Sequence, residues 1–188
     1  MRNLRKIWIL LAGIALGVIS YKFDDVINLI FKNLDIPIFD IIFGIITNFG
    51  IVVLLLVAIP SLILYRKKKK IAFLLWLNFF ISILLTLLLK LIIARQRPIE
   101  GLTYSLTHIL NYSFPSMHSV VAFSMLAMLI TYLPKQRYFW TSFAILVGFS
   151  RVYLGFHFLS DVVFGALIGY FAGYYSRKIY EKYYGKNK

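Results

Sequence analysis

The sequence predicts an all-α, polytopic membrane protein: six transmembrane helices with an outer interfacial helix. Three observations lead there. Of 188 residues, 61% are hydrophobic and 15% charged, and the mean hydropathy is +0.81, more apolar than a soluble domain of this size needs. The apolar residues fall into runs separated by short polar stretches. The basic residues cluster between those runs. A formal net charge of +14 would direct a soluble chain toward nucleic acid. Clustered between apolar spans, the same charge follows the positive-inside pattern, so the partner is a phospholipid bilayer and not nucleic acid. The chain has no cysteine, which excludes disulfides and thiolate metal sites.

The elements follow in order. The first span, roughly 7–21, opens behind a basic start; the beginning "MRNLRKIWILLAGIALG" has the layout of a leader, but further spans follow and it is read as a retained helix. "DDVINLIFKNLD", 24–35, places Ile27, Ile30, Phe31 and Leu34 on one helical face, with Asp24, Asp25, Asn28, Lys32 and Asp35 on the other. This pattern predicts a helix lying in the outer interface. The second span covers about 44–65, the third 71–90, the fourth 116–133, the fifth 138–154 and the sixth 159–176. Several fall short of the ~20 residues a bilayer usually requires, so they recruit flanking residues or thin the bilayer locally. No repeat or long linker divides the chain, and 1–188 reads as one membrane-embedded domain with a motif core at 90–161.

Orientation follows the cations. Arg2, Arg5 and Lys6, the run "RKKKK" at 66–70, Lys135 and Arg137, and Arg177, Lys178, Lys182, Lys186 and Lys188 make up most of the 21 basic residues. With six spans they all fall on one side, placing both termini in the cytoplasm of a plasma (inner) membrane protein. Of the seven acidic residues only Glu181 joins them. The ends of spans three and five and the starts of spans four and six then meet at the outer, or periplasmic, surface.

Polar residues of unusual type collect at that surface. In "KLIIARQRP", 90–98, Lys90 and Arg97 share a face if the helix continues to about Arg97, where Pro98 would stop it. Two cations there suit an anion with several oxygens. Arg95 is off that face and reads as a snorkelling residue reaching for headgroups. In "FPSMHS", 114–119, Pro115 and Ser116 resemble a helix start with Ser116 as N-cap. The amides of Met117 and His118 would face an anion, and His118 would stand beside it. In "SRVYLGFHFLSD", 150–161, Gly155 offers a break. Arg151 then ends span five, His157 sits in a short turn, and Asp161 lies in the first turn of span six. A carboxylate on one imidazole nitrogen fixes the tautomer and leaves the other nitrogen free to attack. Ionisable groups at this depth usually face a functional cavity. Cations and backbone donors to hold a phosphoryl group, one histidine to attack it and a second to protonate the leaving oxygen compose a phosphoryl-transfer site. No cluster has metal-ligand spacing.

These three stretches resemble, in order, the signature motifs of the type 2 phosphatidic acid phosphatase superfamily: Lys, six residues, Arg-Pro; Pro-Ser-Gly-His; and Ser-Arg, five residues, His, three residues, Asp. The first and third match at every fixed position. The resemblance implies that His157 is the nucleophile forming a phosphohistidine, that Asp161 orients it, and that His118 is the general acid. It further implies that Lys90, Arg97, Arg151 and Ser116 bind phosphate and that neither metal nor cofactor is needed. Met117 replaces the motif glycine. It keeps the amide but adds a flexible side chain where glycine allows close approach to a ligand, which bears on access and substrate shape. His108 matches no motif and reads as a solvated loop residue.

The function expected is hydrolysis of a lipid phosphate or diphosphate at the outer leaflet, with the tail between helices. Undecaprenyl diphosphate is the first choice of phosphorylated membrane lipid. Lipid A 1-phosphate, phosphatidylglycerol phosphate and phosphatidic acid compete with it. A lipid phosphotransferase using the same phosphohistidine is the alternative, and a non-catalytic anion-binding membrane protein a remote one. Vanadate-dependent haloperoxidases share the motif set but resemble soluble helical proteins, unlike this chain.

Overall fold

The computed structural model describes residues 2–34, 36–98 and 108–184, without the side chains of Arg2, Asn3, Arg5 and Lys67. Asp35, Lys186 and Lys188, which entered the reading above, lie outside the described residues. Seven helices carry the architecture, and no strand occurs among the described residues.

Helix α1 runs unbroken over Arg2–Lys32. At 31 residues it is ~46 Å long, well beyond the ~30 Å hydrocarbon core. The separate interfacial helix expected at 24–35 therefore does not form. Nothing between Tyr21 and Phe31 breaks a helix, and Asp24, expected on a wet face, is buried. Pro37 starts α2 (Pro37–Ile46), the position where a missing N–H costs least. This ten-residue apolar helix is too short to span alone. It lays Phe39 and Phe43 against Tyr153, and Phe43 also against Phe149.

Helix α3 (Phe49–Arg66) widens into a π turn at Leu54–Ala58, where the Ile59 amide reaches the Leu54 carbonyl. Pro60 follows, and having no N–H to donate it cannot continue the ordinary ladder. The basic run joins α3 to α4 (Lys68–Ile93) through a non-helical Lys68, at φ −146° and ψ 59°. Helices α5 (Met117–Tyr132), α6 (Arg137–Tyr153) and α7 (Leu159–Tyr184) complete the bundle. By length and composition, α1, α3 and α4 each suffice to cross a membrane.

Packing of α7 on α5 sets the frame of the site. A Cβ at Gly169 would stand 2.2 Å from the Val120 carbonyl oxygen, and one at Gly173 would stand 2.1 Å from that of Ser124. Only glycine permits this approach of helix to backbone. On the other side of α5, Ser82 of α4 donates to Ser124 Oγ at 2.8 Å. The bundle has two unlike ends. At one, Lys6 lies over Tyr174 and Lys70 over Tyr184. The opposite end, where α4 stops and α5 and α7 start, gathers the motif residues.

Candidate active site

The corner between α6 and α7 comes first. Arg151 occupies the last turn of α6, and Gly155 turns the chain at φ 68°, a left-handed conformation that glycine adopts without strain. His157 follows in the turn, its amide donating to the Arg151 carbonyl at 3.1 Å. Asp161 sits in the first turn of α7 and its Oδ2 accepts the Phe158 amide at 3.0 Å. This is the acidic half of a capping box, which satisfies an amide the helix start would leave orphaned. The same Oδ2 stands 3.6 Å from His157 Nδ1. Both residues are buried, and at this separation His157 Nδ1 faces the carboxylate without a hydrogen-bond partner among the described residues. The sequence-predicted placement of Arg151, His157 and Asp161 along this corner is the one observed.

The α4 exit departs from expectation. The helix ends at Ile93, not near Arg97, because Ala94 adopts φ 47° and its amide closes on the Lys90 carbonyl. Lys90 and Arg97 thus do not share a helix face; the reversal of the chain brings them to one site. Lys90 is almost wholly buried, and its Nζ donates to the Tyr112 carbonyl and, at 3.5 Å, to that of Ser113. Arg97 donates to the carbonyls of Leu110, Asn111 and Phe156, at 2.8, 3.1 and 3.0 Å. It ties the loop before α5 to the corner before α7.

Arg95, assigned to headgroup snorkelling, is instead built into the site. It bonds Asp161 Oδ1 at 2.8 Å and Asp24 Oδ2 at 2.8 Å. Its guanidinium also lies 3.9 Å from the Phe158 ring centre. Snorkelling fails as a description because two buried carboxylates, one on α1 and one on α7, hold the group inside the protein.

Ser116 precedes α5 as expected, but its hydroxyl makes no capping bond; its amide donates to the Asp161 carbonyl at 3.2 Å, locking α5 to α7. Met117 opens the helix and packs on the apolar core. His118 packs its ring edge-on against Phe49, with centres 5.1 Å apart. Ser116 Oγ and His118 Nε2 are both buried with no hydrogen-bond partner among the described residues. Buried polar atoms in native proteins are nearly always satisfied, so such atoms are candidates for ligand contact. His108 is exposed at the start of the turn His108–Asn111.

Sequence reasoning missed Asp24, Thr47, Arg95 and Ser160. Thr47 follows α2 and its hydroxyl receives Arg151 Nη1 at 2.6 Å. Asp24 was legible only as one member of the polar face of 24–35.

Electrostatics give the site its direction. Burial pushes the His157 imidazole well below the ordinary histidine value, and the charges of Arg151, Arg97 and Lys90 push the same way. His157 is therefore neutral near pH 7, the form that can attack. The cations act on it from α6 and from both sides of the α4 exit, so the three come to one place. Among the described residues no group of three or more His, Asp or Glu is placed to hold a metal ion.

Residues 70–184 match the family model of the PAP2 superfamily. The chain belongs to that superfamily. Similar proteins include the undecaprenyl-diphosphatase of Sulfolobus acidocaldarius, 32% identical over 122 residues, which are 63% of this chain and 59% of that protein. The phosphatidylglycerophosphatase B of Bacillus subtilis is 34% identical over 126 residues, 61% of either chain. The matched part thus spans about three fifths of these relatives. Among solved structures, a transmembrane PAP2-type phosphatidylglycerolphosphate phosphatase from Bacillus subtilis superposes with a TM-score of 0.73 at 26% identity, covering 95% of this chain and 98% of that one. The LpxE of Aquifex aeolicus gives 0.67 at 27%, covering 83% and 95%. The chain is thus an all-helical membrane protein of a superfamily that includes lipid phosphatases. Asp24 lies outside the 70–184 match, on a helix the family model does not reach.

Proposed function

We propose that the protein is an integral membrane lipid phosphatase that removes a phosphate or diphosphate headgroup through a phosphohistidine. The observation that carries this reading is the buried His157 with Asp161 Oδ2 3.6 Å from its Nδ1 and the charges of Arg151, Arg97 and Lys90 acting on it. Lys90, Arg97 and Arg151 hold the phosphoryl oxygens, with the Ser116 hydroxyl and the first amides of α5 adding donors. His157 Nε2 attacks phosphorus, the bond from phosphorus to the leaving oxygen breaks, and His118 gives that oxygen its proton. Water then attacks the phosphohistidine, its proton passes to His118, and the P–N bond breaks to release phosphate and restore both histidines.

A lipid tail has a place to lie. An apolar groove of about 930 Å³ runs between α1, α5, α6 and α7, past Ile27, Phe31, Phe149 and Val152 to Leu159, beside the corner that holds His157. We read all six long helices, α1 and α3 to α7, as spans of one domain, with termini in the cytoplasm and the site at the outer leaflet. Segregation of the basic clusters from the site supports this. Undecaprenyl diphosphate is the first-choice substrate, supported by the likeness to an undecaprenyl-diphosphatase. Lipid A phosphate and phosphatidylglycerol phosphate remain competitors through the other relatives. No step above calls for a metal.

The test is phosphate release by purified protein, in chelator, from undecaprenyl diphosphate, lipid A 1-phosphate, phosphatidylglycerol phosphate and phosphatidic acid, with His157→Ala as control. Release from one lipid, lost in the variant, is expected. Release that needs added magnesium would overturn metal independence. Transfer to an added alcohol with little free phosphate would favour the phosphotransferase reading, for which Met117 in place of the motif glycine is the supporting feature.

A further inference from the structure

Arg95 stands two residues from Arg97, yet its charge is spent differently. Nη1 bonds Asp161 Oδ1 and, at 2.7 Å, Ser160 Oγ, while Nη2 bonds Asp24 Oδ2. Asp24 in turn accepts the Ser160 amide on Oδ1 at 2.9 Å and the Ser160 hydroxyl on Oδ2. Phe158, at the N-cap of α7, has no side-chain acceptor. Asp24 reaches across from α1 to accept one free amide of α7, while Asp161 accepts another. The carboxylate side chains of Asp24 and Asp161 are 3% and 0% exposed, and a buried carboxylate without a cation is costly. Arg95 balances both.

We propose that Arg95, anchored by Asp24, is a positioning residue that acts on the nucleophile through Asp161. By occupying Oδ1, Arg95 stops the carboxylate from rotating and keeps Oδ2 on the Phe158 amide and 3.6 Å from His157 Nδ1, where a small approach makes the Nδ1–H bond. The Nδ1–H tautomer is thereby favoured and the Nε2 lone pair faces the phosphoryl group. Arg95 does not touch substrate; the phosphate cations are Lys90, Arg97 and Arg151. The chain Asp24–Arg95–Asp161–His157 makes α1 part of the catalytic apparatus. This rests on His157 being the nucleophile.

The test compares Arg95→Gln, Arg95→Lys and Asp24→Asn with wild type on a lipid that the wild type hydrolyses. Arg95→Gln should lower kcat about 10- to 100-fold with KM within about threefold, because the lost interaction lies behind the nucleophile and not on the substrate. Arg95→Lys should recover part of the loss, and Asp24→Asn should cost kcat several-fold. Combining Arg95→Gln with Asp161→Asn should be no slower than Asp161→Asn alone, since residues acting as a unit are not additive. Nitrogen-15 NMR of the histidine rings reads the same link without turnover. With three histidines in the chain, the His157 signal is assigned by its loss in His157→Ala. It should show Nδ1–H in the wild type and a mixed tautomer in Arg95→Gln.

A kcat within twofold of wild type in Arg95→Gln would overturn the proposal. So would a change confined to KM, multiplicative losses in the double variant, or an unaltered tautomer. Should Arg95→Gln fail to fold, an unchanged kcat in Asp24→Asn overturns it equally. Wild-type protein that hydrolyses no lipid would sink the proposed function instead, while the NMR comparison would still decide whether Arg95 sets the His157 tautomer.

Discussion

The α6–α7 corner and the α4 exit both deliver charged groups to one site, but they are built on different scales. In the corner, the contacts that shape the turn are local: Gly155 turns the chain, Asp161 reaches back to Phe158, and the same carboxylate stands 3.6 Å from His157 Nδ1. At the α4 exit the contacts are long-range. Arg95 finds Asp161 and Asp24 across 66 and 71 residues of sequence, and Arg97 finds Phe156 across 59. In the proposed function the corner composes the reactive group, and the exit fixes where it points and what it holds. Damage in the corner should therefore strike chemistry outright, while damage at the exit should be graded.

Asp161→Asn offers the sharpest break. The amide keeps the size but cannot hold the Nδ1–H tautomer or stabilise positive charge on the ring, so kcat should fall by about 100- to 10,000-fold. Near-normal kcat in the variant, measured by phosphate release, would remove the corner's claim to the chemistry. Arg97→Lys tests the exit. A single ammonium cannot span the three carbonyls that the guanidinium holds, so kcat/KM should fall about 10- to 100-fold while the protein stays folded. A loss as deep as that of Asp161→Asn would erase the distinction between the two regions.

Their legibility differs for the same reason. Sequence spacing reports which side chains share a turn, and that sufficed for Arg151, His157 and Asp161, and for the start of α5 at Ser116. The all-helical class was also legible from long apolar runs. Spacing does not report which distant element lies opposite a face. Asp24 and Arg95 each looked peripheral alone, one on a polar stripe and the other off the Lys90 face, and only the packing of α1 beside α7 joins them. The end of α4 was misjudged because Ala94 carries no visible signal for a left-handed conformation; Pro98 pointed to a boundary four residues too late. Thr47, 104 residues from Arg151, had no signal at all.

A substitution remote from both regions probes what holds them in register. Gly169→Ala would set a Cβ against the Val120 carbonyl oxygen, forcing α7 away from α5. Overpacking of this kind costs about 1–3 kcal/mol, and thermal denaturation in detergent should show it as a lower Tm. Activity should fall only several-fold, because the amide of Ser116 still ties α5 to Asp161 at the site end. An unchanged Tm would show that the two helices separate without cost and that the glycine contact does not set the frame.

The smallest expected effect concerns pH, and it bears on both regions at once. In the proposed mechanism His157 must be neutral to attack, and its burial, with the charges of Arg151, Arg97 and Lys90 acting on it, lowers its affinity for a proton. A lowered value means that the neutral form persists as pH falls through the ordinary histidine value of about 6.5 and is lost only further into acid. Titration of the His157 ring by nitrogen-15 NMR should therefore show little protonation at pH 6.5. Replacing Arg97 with Gln removes one repelling charge from the exit, along with its bond to the Phe156 carbonyl, and should move the titration upward, toward the ordinary value. A wild-type midpoint at or above 6.5 would mean that the imidazole is wetter than the packing of α4 and α7 allows. An Arg97→Gln midpoint that does not move would mean that the exit holds the phosphate without sensing the nucleophile, and the two regions would then meet only through the substrate.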